Sequence, residues 1–238
     1  VTDQTVHEVP SGLIEAVVEL VHTGPVPLGA YTLAEIAAVN GVISFLEREP
    51  APELVAEAVR SLAARNLITS APGEDDVEVR GDLGIALAFQ ERSRLAVDTR
   101  ITGTKPDEPW RIVLLPQPEG VTLEVMIDAL GIHFYWLRLT GEALDRLLEK
   151  VPRGDRGPQD ADATAVLGAA STSALVTATT WQPDGAREST DLVLAREGET
   201  LHTFVRDPAQ PSRLVAQALD DDDVRRLVEQ MAGGRPAD

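Results

Sequence analysis

The sequence contains no cysteine. Disulfides, thiolate zinc sites, iron–sulfur clusters and cysteine nucleophiles are therefore excluded, and any metal would fall to His, Asp and Glu alone. Lysine is almost as scarce. Only Lys105 and Lys150 occur among 21 basic residues, against 39 acidic ones, which sets the net charge at −18. A chain so acidic repels phosphate backbones and anionic lipid, and it has no local basic patch to overcome that field. Long apolar runs are also missing. The longest, such as residues 85–89 and 132–137, fall far below the roughly 20 residues of a membrane-spanning helix, so no membrane insertion is expected. Residues 1–8 show neither a basic stretch nor an apolar one, so no secretory signal is expected and cytoplasmic residence is the default.

The motifs of common chemistries are absent as well. No phosphate-cradling glycine loop, dinucleotide fingerprint or nucleophile elbow occurs. His7, His22, His133 and His202 are scattered, and none has a histidine, aspartate or glutamate three or four residues on. The run Asp220–Asp223 falls at the start of a helix, where carboxylates cap backbone N–H groups and face the positive end of the dipole. Residues 74–76 read as a solvated acidic loop. No catalytic, cofactor-binding or metal-binding residue is therefore assigned.

What is present is a change of period along the 238 residues. Helical spacing dominates residues 13–21, 32–48 and 52–65. Thr32 and Glu35 form a capping-box pair, and Leu54, Val55, Ala58, Val59 and Leu62 form a core stripe. From residue 95 onward alternation takes over. Leu95, Val97, Thr99 and Ile101 lie on one face and Ala96, Asp98 and Arg100 on the other. Residues 110–115 and 132–139 read as strands, residues 121–130 as strand or helix, and a helix capped by Thr140 follows. Strands resume at 174–181, 191–196 and 200–205, before a last helix over 220–231.

The second set resembles the first. Residues 139–151 align with 219–231 without a gap, so that Leu139, Arg146, Leu147 and Glu149 meet Leu219, Arg226, Leu227 and Glu229. The same offset of 80 places 95–101 on 175–181 and 112–115 on 192–195, while residues 132–134 fit 201–203 better, which matches His133 to His202. The expected fold is α+β: a mainly antiparallel sheet built from two pseudo-symmetric strands-then-helix units, with an N-terminal helical region. The expected boundaries are 1–92 for the helical region, 93–152 and 171–232 for the two units, 153–170 for a linker and 233–238 for a disordered tail.

Phe134, Tyr135 and Trp136 are adjacent in a strand that must point them to both faces, leaving aromatic surface outside a single core. With Trp181 they are the candidate partner-binding residues, since tryptophan and tyrosine dominate binding hot spots. Both His133 and His202 are expected to face outward. Residues 58–68, after two helices and before an extended stretch, also fit the end of a winged helix-turn-helix, although Glu53 and Glu57 offset Arg60 and Arg65. An enzyme without a recognisable motif is the other alternative.

The segment from Ala63-Ala64-Arg65-Asn66-Leu67-Ile68 through residues 79–89 and 94–100, with a helix ending Lys150-Val151-Pro152, resembles the N-terminal half of the EspG family of ESX (type VII) secretion-associated proteins. Residues 181–187, with Trp181 leading, residues 201–205 and Asp207-Pro208 before a terminal helix are similar to that family's C-terminal unit. The resemblance covers about residues 55–231, with a shorter connection at 153–170 than the family carries. It implies a cytosolic chaperone, without catalysis, that binds the helical tip of a secreted PE–PPE-type partner.

Overall fold

The computed structural model describes residues 11–39, 50–69, 77–182 and 185–233. The later part of the helix expected over 32–48, the acidic loop at 74–76 and the tail beyond 233 lie outside the described residues. In chain order the elements are α1 (Ser11–Val21), β1 (Val26–Thr32), α2 (Leu33–Ala38), α3 (Pro52–Ala64), β2 (Ile68–Thr69), β3 (Glu78–Val79) and α4 (Gly81–Arg92). The first repeated unit follows as β4 (Leu95–Thr102), β5 (Arg111–Pro116), β6 (Val121–Ile127), β7 (Ile132–Leu139) and α5 (Thr140–Lys150). A connection holding β8 (Asp155–Arg156) and α6 (Ala163–Ala169) leads to β9 (Thr172–Trp181), β10 (Arg187–Glu197), β11 (Thr200–Asp207), β12 (Gln210–Gln217) and α7 (Asp221–Ala232). The stretch 153–170 is thus structured rather than a bare linker.

Both units share one ten-stranded sheet, ordered β1-β7-β6-β5-β4-β9-β10-β11-β12, with β8 alongside β11. The fold is α+β with an N-terminal helical region, as the change of period implies. All pairings are antiparallel except β8 with β11. The two units meet at β4 and β9, where Leu95 pairs with Thr180 and Ile101 with Ala174. Each unit is four strands and a helix, not three. Residues 121–127, ambiguous in the sequence, are strand β6, and β12 was not anticipated at all. Nor was β1.

The ladders correct the internal alignment. Ile112 pairs with Thr99, and Leu192 pairs with Val176, so Thr99 corresponds to Val176 and not to Thr179, which the uniform offset of 80 selects. An odd slip of three residues reverses the face of every side chain on a strand. Likewise Met126 pairs with Ile112 and Val205 with Leu192, so β6 answers to β11 and β7 to β12. His133 and His202 are therefore not equivalents. The helix alignment holds, since Leu144, Leu147, Leu148 and Val151 and their counterparts Val224, Leu227, Val228 and Met231 all join one core.

The sheet has two covered faces. On the back, α5 and α7 bury Ala143, Leu144, Leu147, Val224 and Val228 against Val97, Ile112, Leu114, Val176, Leu192 and Leu194. Each such valine, leucine or isoleucine side chain contributes about 1.5–3 kcal/mol of transfer free energy. On the front, the N-terminal helices pack Val17, Val21, Ile36, Leu62, Leu83 and Phe89 over Val113, Leu123, Val125 and Leu137 of the first unit. Helix α6 covers the second unit through Val166 against Ala195 and Phe204. The N-terminal layer is itself tied together at Glu35. Its carboxylate closes the capping box with Thr32, accepts from Ser61 Oγ at 2.8 Å and pairs with Arg65 at 2.5 Å, joining α2 to α3. No helix of the described residues is long and apolar enough to cross a membrane.

Candidate protein-binding surfaces

Strand alternation divides the aromatic segment of β7. Tyr135 points to the front, where it is 3% exposed and meets Tyr31 edge-on at 5.7 Å between ring centroids. Burial pushes the Tyr31 phenol up to about 12 and drives Tyr135 well above the usual range, so both stay neutral. Tyr31 donates to Leu28 O at 2.7 Å. Tyr135 is thus a core residue and unavailable to a partner. Its neighbour His133 is buried too, not outward-facing, and desolvation holds its pKa below the ordinary histidine value. His202 is likewise buried, with Nδ1 unpartnered and Nε2 3.9 Å from Glu197.

Phe134 and Trp136 point to the back, half-buried beside α5. Trp136 is held by a built support. The Arg138 guanidinium lies 4.8 Å from its ring centroid, and Arg138 Nε donates to Glu124 Oε2 at 2.6 Å. Glu124 is wholly buried in the sheet, and Arg146 from α5 reaches its other oxygen at 3.4 Å while Nη2 contacts Met126 Sδ at 3.7 Å. A buried carboxylate needs such partners, because desolvation would otherwise neutralise it. Trp181, at the end of β9, is half-buried and packs against the front core. The four aromatic residues therefore do not make one site: Phe134 and Trp136 share the back, while Tyr135 and Trp181 belong to the front.

Between α4 and α6 the front of the sheet is polar. Arg111 grips Asp98 with two bonds of 2.8 Å, Thr177 donates to Asp191 at 2.7 Å, and Arg206 pairs with Asp191 in turn. Thr179 with Ser189 and Thr102 with Ser173 form further cross-strand hydroxyl pairs. Such mutual satisfaction is how an antiparallel sheet faces water.

The apolar surface that sequence reasoning misplaced lies elsewhere. Six large apolar side chains are exposed among the described residues, and four of them, Leu13, Leu20, Leu54 and Val59, stand on α1 and α3. Leu54 and Val59, read from sequence as core, are 59% and 36% exposed. They sit at the margins of α3's apolar arc, of which only Ala58 and Leu62 are buried. The signal was visible in α1, whose apolar residues cover far more than the single stripe one sheet can bury.

Alternative chemistries find little support in the geometry. On α3, Arg60 pairs with Glu57 at 2.6 Å and Arg65 with Glu35, so the helix offers no positive face to DNA. Among the described residues no group of three or more His, Asp or Glu converges as metal ligands do. A surface depression at the end of α7 is lined by Arg226, Glu229, Gln230 and Gly233. Compared with models of known families and with curated proteins, the chain matches none.

Proposed function

We propose that this chain is a protein-binding adaptor or chaperone acting in the cytoplasm. One observation carries the reading: the concentration of exposed leucine and valine on α1 and α3, in a layer whose inner side is firmly anchored in the core. Exposed large apolar side chains, Leu13 and Leu20 on α1 and Leu54 and Val59 on α3, are what a protein-binding surface presents. Trp136, stacked on Arg138 and held over Glu124, is a second rigid anchor of the type that dominates hot spots. The finer reading is a chaperone for type VII secretion substrates, with a helical PE–PPE-type protein as partner. It draws on the EspG-like pattern and on the two-unit α+β architecture.

Co-expression with a PE–PPE pair, followed by size-exclusion chromatography, tests the finer reading. A stoichiometric complex, weakened by Trp136→Ala or Leu54→Ser, is the expected result. The broader reading is tested by tagged purification from the native cytosol with the same variants as controls. Absence of any stoichiometric partner would sink it and return attention to small-molecule chemistry.

A further inference from the structure

Helix α1 is apolar on more than one side. Its inner stripe, Ile14, Val17 and Val21, is buried in the front core, with Val18 half-buried beside it. A second stripe, Leu13, Ala16 and Leu20, adjoins the first and faces outward, with Leu13 42% and Leu20 52% exposed. Spacings of three and four residues put these side chains in one row along the helix, with the small Ala16 at the middle, where a second backbone can approach closely. Glu15 and Glu19, both exposed, lie beyond this row on the side away from the core stripe, and α1 contains no basic residue.

From this we infer that the outer row of α1 is the seat of a helical segment of another protein, one with an apolar stripe flanked by lysine or arginine. The inference rests on the protein-binding reading and adds the partner's chemistry. A helix fits because the row has helical spacing and side chains that interdigitate with the knobs of a facing helix. Basic flanks fit because the seat is edged by Glu15 and Glu19 on a chain of net charge −18, which attracts cationic partners at long range. The same charges exclude a second copy of the chain. Two α1 helices packed face to face and antiparallel would set Glu15 and Glu19 against their like. They exclude an anionic membrane surface for the same electrostatic reason.

Fluorescence anisotropy with the full chain tests this. The probe is a synthetic helix of roughly 15 residues, near the shortest that holds helix in water, with leucines in one row and lysines beside it; its twin carries glutamates instead. The lysine probe is expected to bind, to lose about tenfold in affinity on Leu20→Ser, and to weaken as salt rises, while the twin does not bind. Glu15→Lys with Glu19→Lys is expected to reverse the preference. Circular dichroism of each variant checks that these exposed substitutions leave the fold intact. Equal binding of the two probes, or indifference to Leu20→Ser, overturns the inference, as does a dimer in sedimentation that Leu20→Ser dissolves. If a stoichiometric native partner is still recovered by Leu13→Ser/Leu20→Ser protein, this seat is wrong while the protein-binding reading stands; if no partner is recovered by the intact chain, the reading itself fails.

Discussion

The two units are built on one plan, and they differ most on their outer strands. In the first unit, β6 and β7 bring Glu124, Trp136 and Arg138 to the back face, where Arg146 joins them from α5. The positions of the second unit that correspond to Glu124 and Trp136 are Thr203 and Gln217, and there Thr203 Oγ1 simply donates to Gln217 O at 2.6 Å. The helices, by contrast, repeat leucine for leucine or valine at their core positions, with Leu144, Leu147 and Leu148 answering to Val224, Leu227 and Val228. Burial between sheet and helix fixes the shared positions, since any helix on this sheet must fill the same space. The outer strands are released from that demand. A buried ion pair costs desolvation that an apolar pair does not, so the outer strands of the first unit carry an electrostatic demand that those of the second do not.

Substitutions can break the comparison on one side and leave the other standing. Glu124→Ala leaves the nearly buried Arg138 without its partner, and about 3–5 kcal/mol of stability should be lost in denaturant unfolding. Thr203→Ala removes a single neutral hydrogen bond and should cost about 1 kcal/mol. Equal losses at the two sites would refute the asymmetry. The double substitution Glu124→Ala/Arg138→Leu should recover part of the first loss, because no buried charge then remains unpaired.

The helices provide the matched control. Leu147 is fully buried, and Leu147→Ala should cost about 2–5 kcal/mol. Its counterpart Leu227 is only partly covered, so Leu227→Ala should cost about half as much. Thermal unfolding of both variants ranks them, and the reverse order would mean that α7, not α5, carries the back core.

A third difference concerns protons. His133 has no buried equivalent on β12, where Leu214 follows from the ladder. Its folded-state pKa lies below the ordinary histidine value because burial disfavours the imidazolium, with Arg111 adding to the effect. The unfolded chain then takes up a proton near pH ~6.5 while the folded chain does not, so stability is complete above that pH and falls as pH drops toward the folded pKa. Urea midpoints should decline between pH ~7.5 and ~5.5, and His133→Leu should flatten that decline. An unchanged slope in the variant would place the titration elsewhere.

Much of this architecture was readable from the residues, for identifiable reasons. Alternation revealed the inner strands, and the ungapped match of residues 139–151 to 219–231 revealed the duplication, because buried periodic positions are those the fold constrains most. Among the elements the residues do not reveal are β1 and β12, the two edge strands, each carrying a proline, Pro27 and Pro211. Proline is tolerated at an edge, where one side of the strand needs no ladder bond, yet in a sequence it reads as an interruption. The slip in aligning β4 with β9 has a similar origin. Both strands alternate, so any offset matches some apolar residues, and only the ladder through β5 and β10 shows which face each occupies. Of the candidate site, the aromatic strand could be found but its division between faces could not be turned into accessibility. Leu54 and Val59 of α3 read as core because composition does not say how much neighbouring structure there is to cover them.

The corrected alignment makes its own prediction, of the smallest size. Thr99 and Val176 occupy equivalent positions on the two central strands, both fully buried beneath the paired helices. Val176 joins the back core with two methyl groups; Thr99 places a hydroxyl there instead, and its Oγ1 has no hydrogen-bond partner. A buried hydroxyl without a partner forfeits its hydration and gains nothing in exchange. Thr99→Val keeps the shape and β-branching of the side chain and removes the polar atom, so the variant should match the wild type or exceed it by about 1 kcal/mol. Guanidinium unfolding at neutral pH measures the difference. A loss of stability would mean that the hydroxyl is satisfied after all, and that the first unit differs from the second at its centre as well as at its edge.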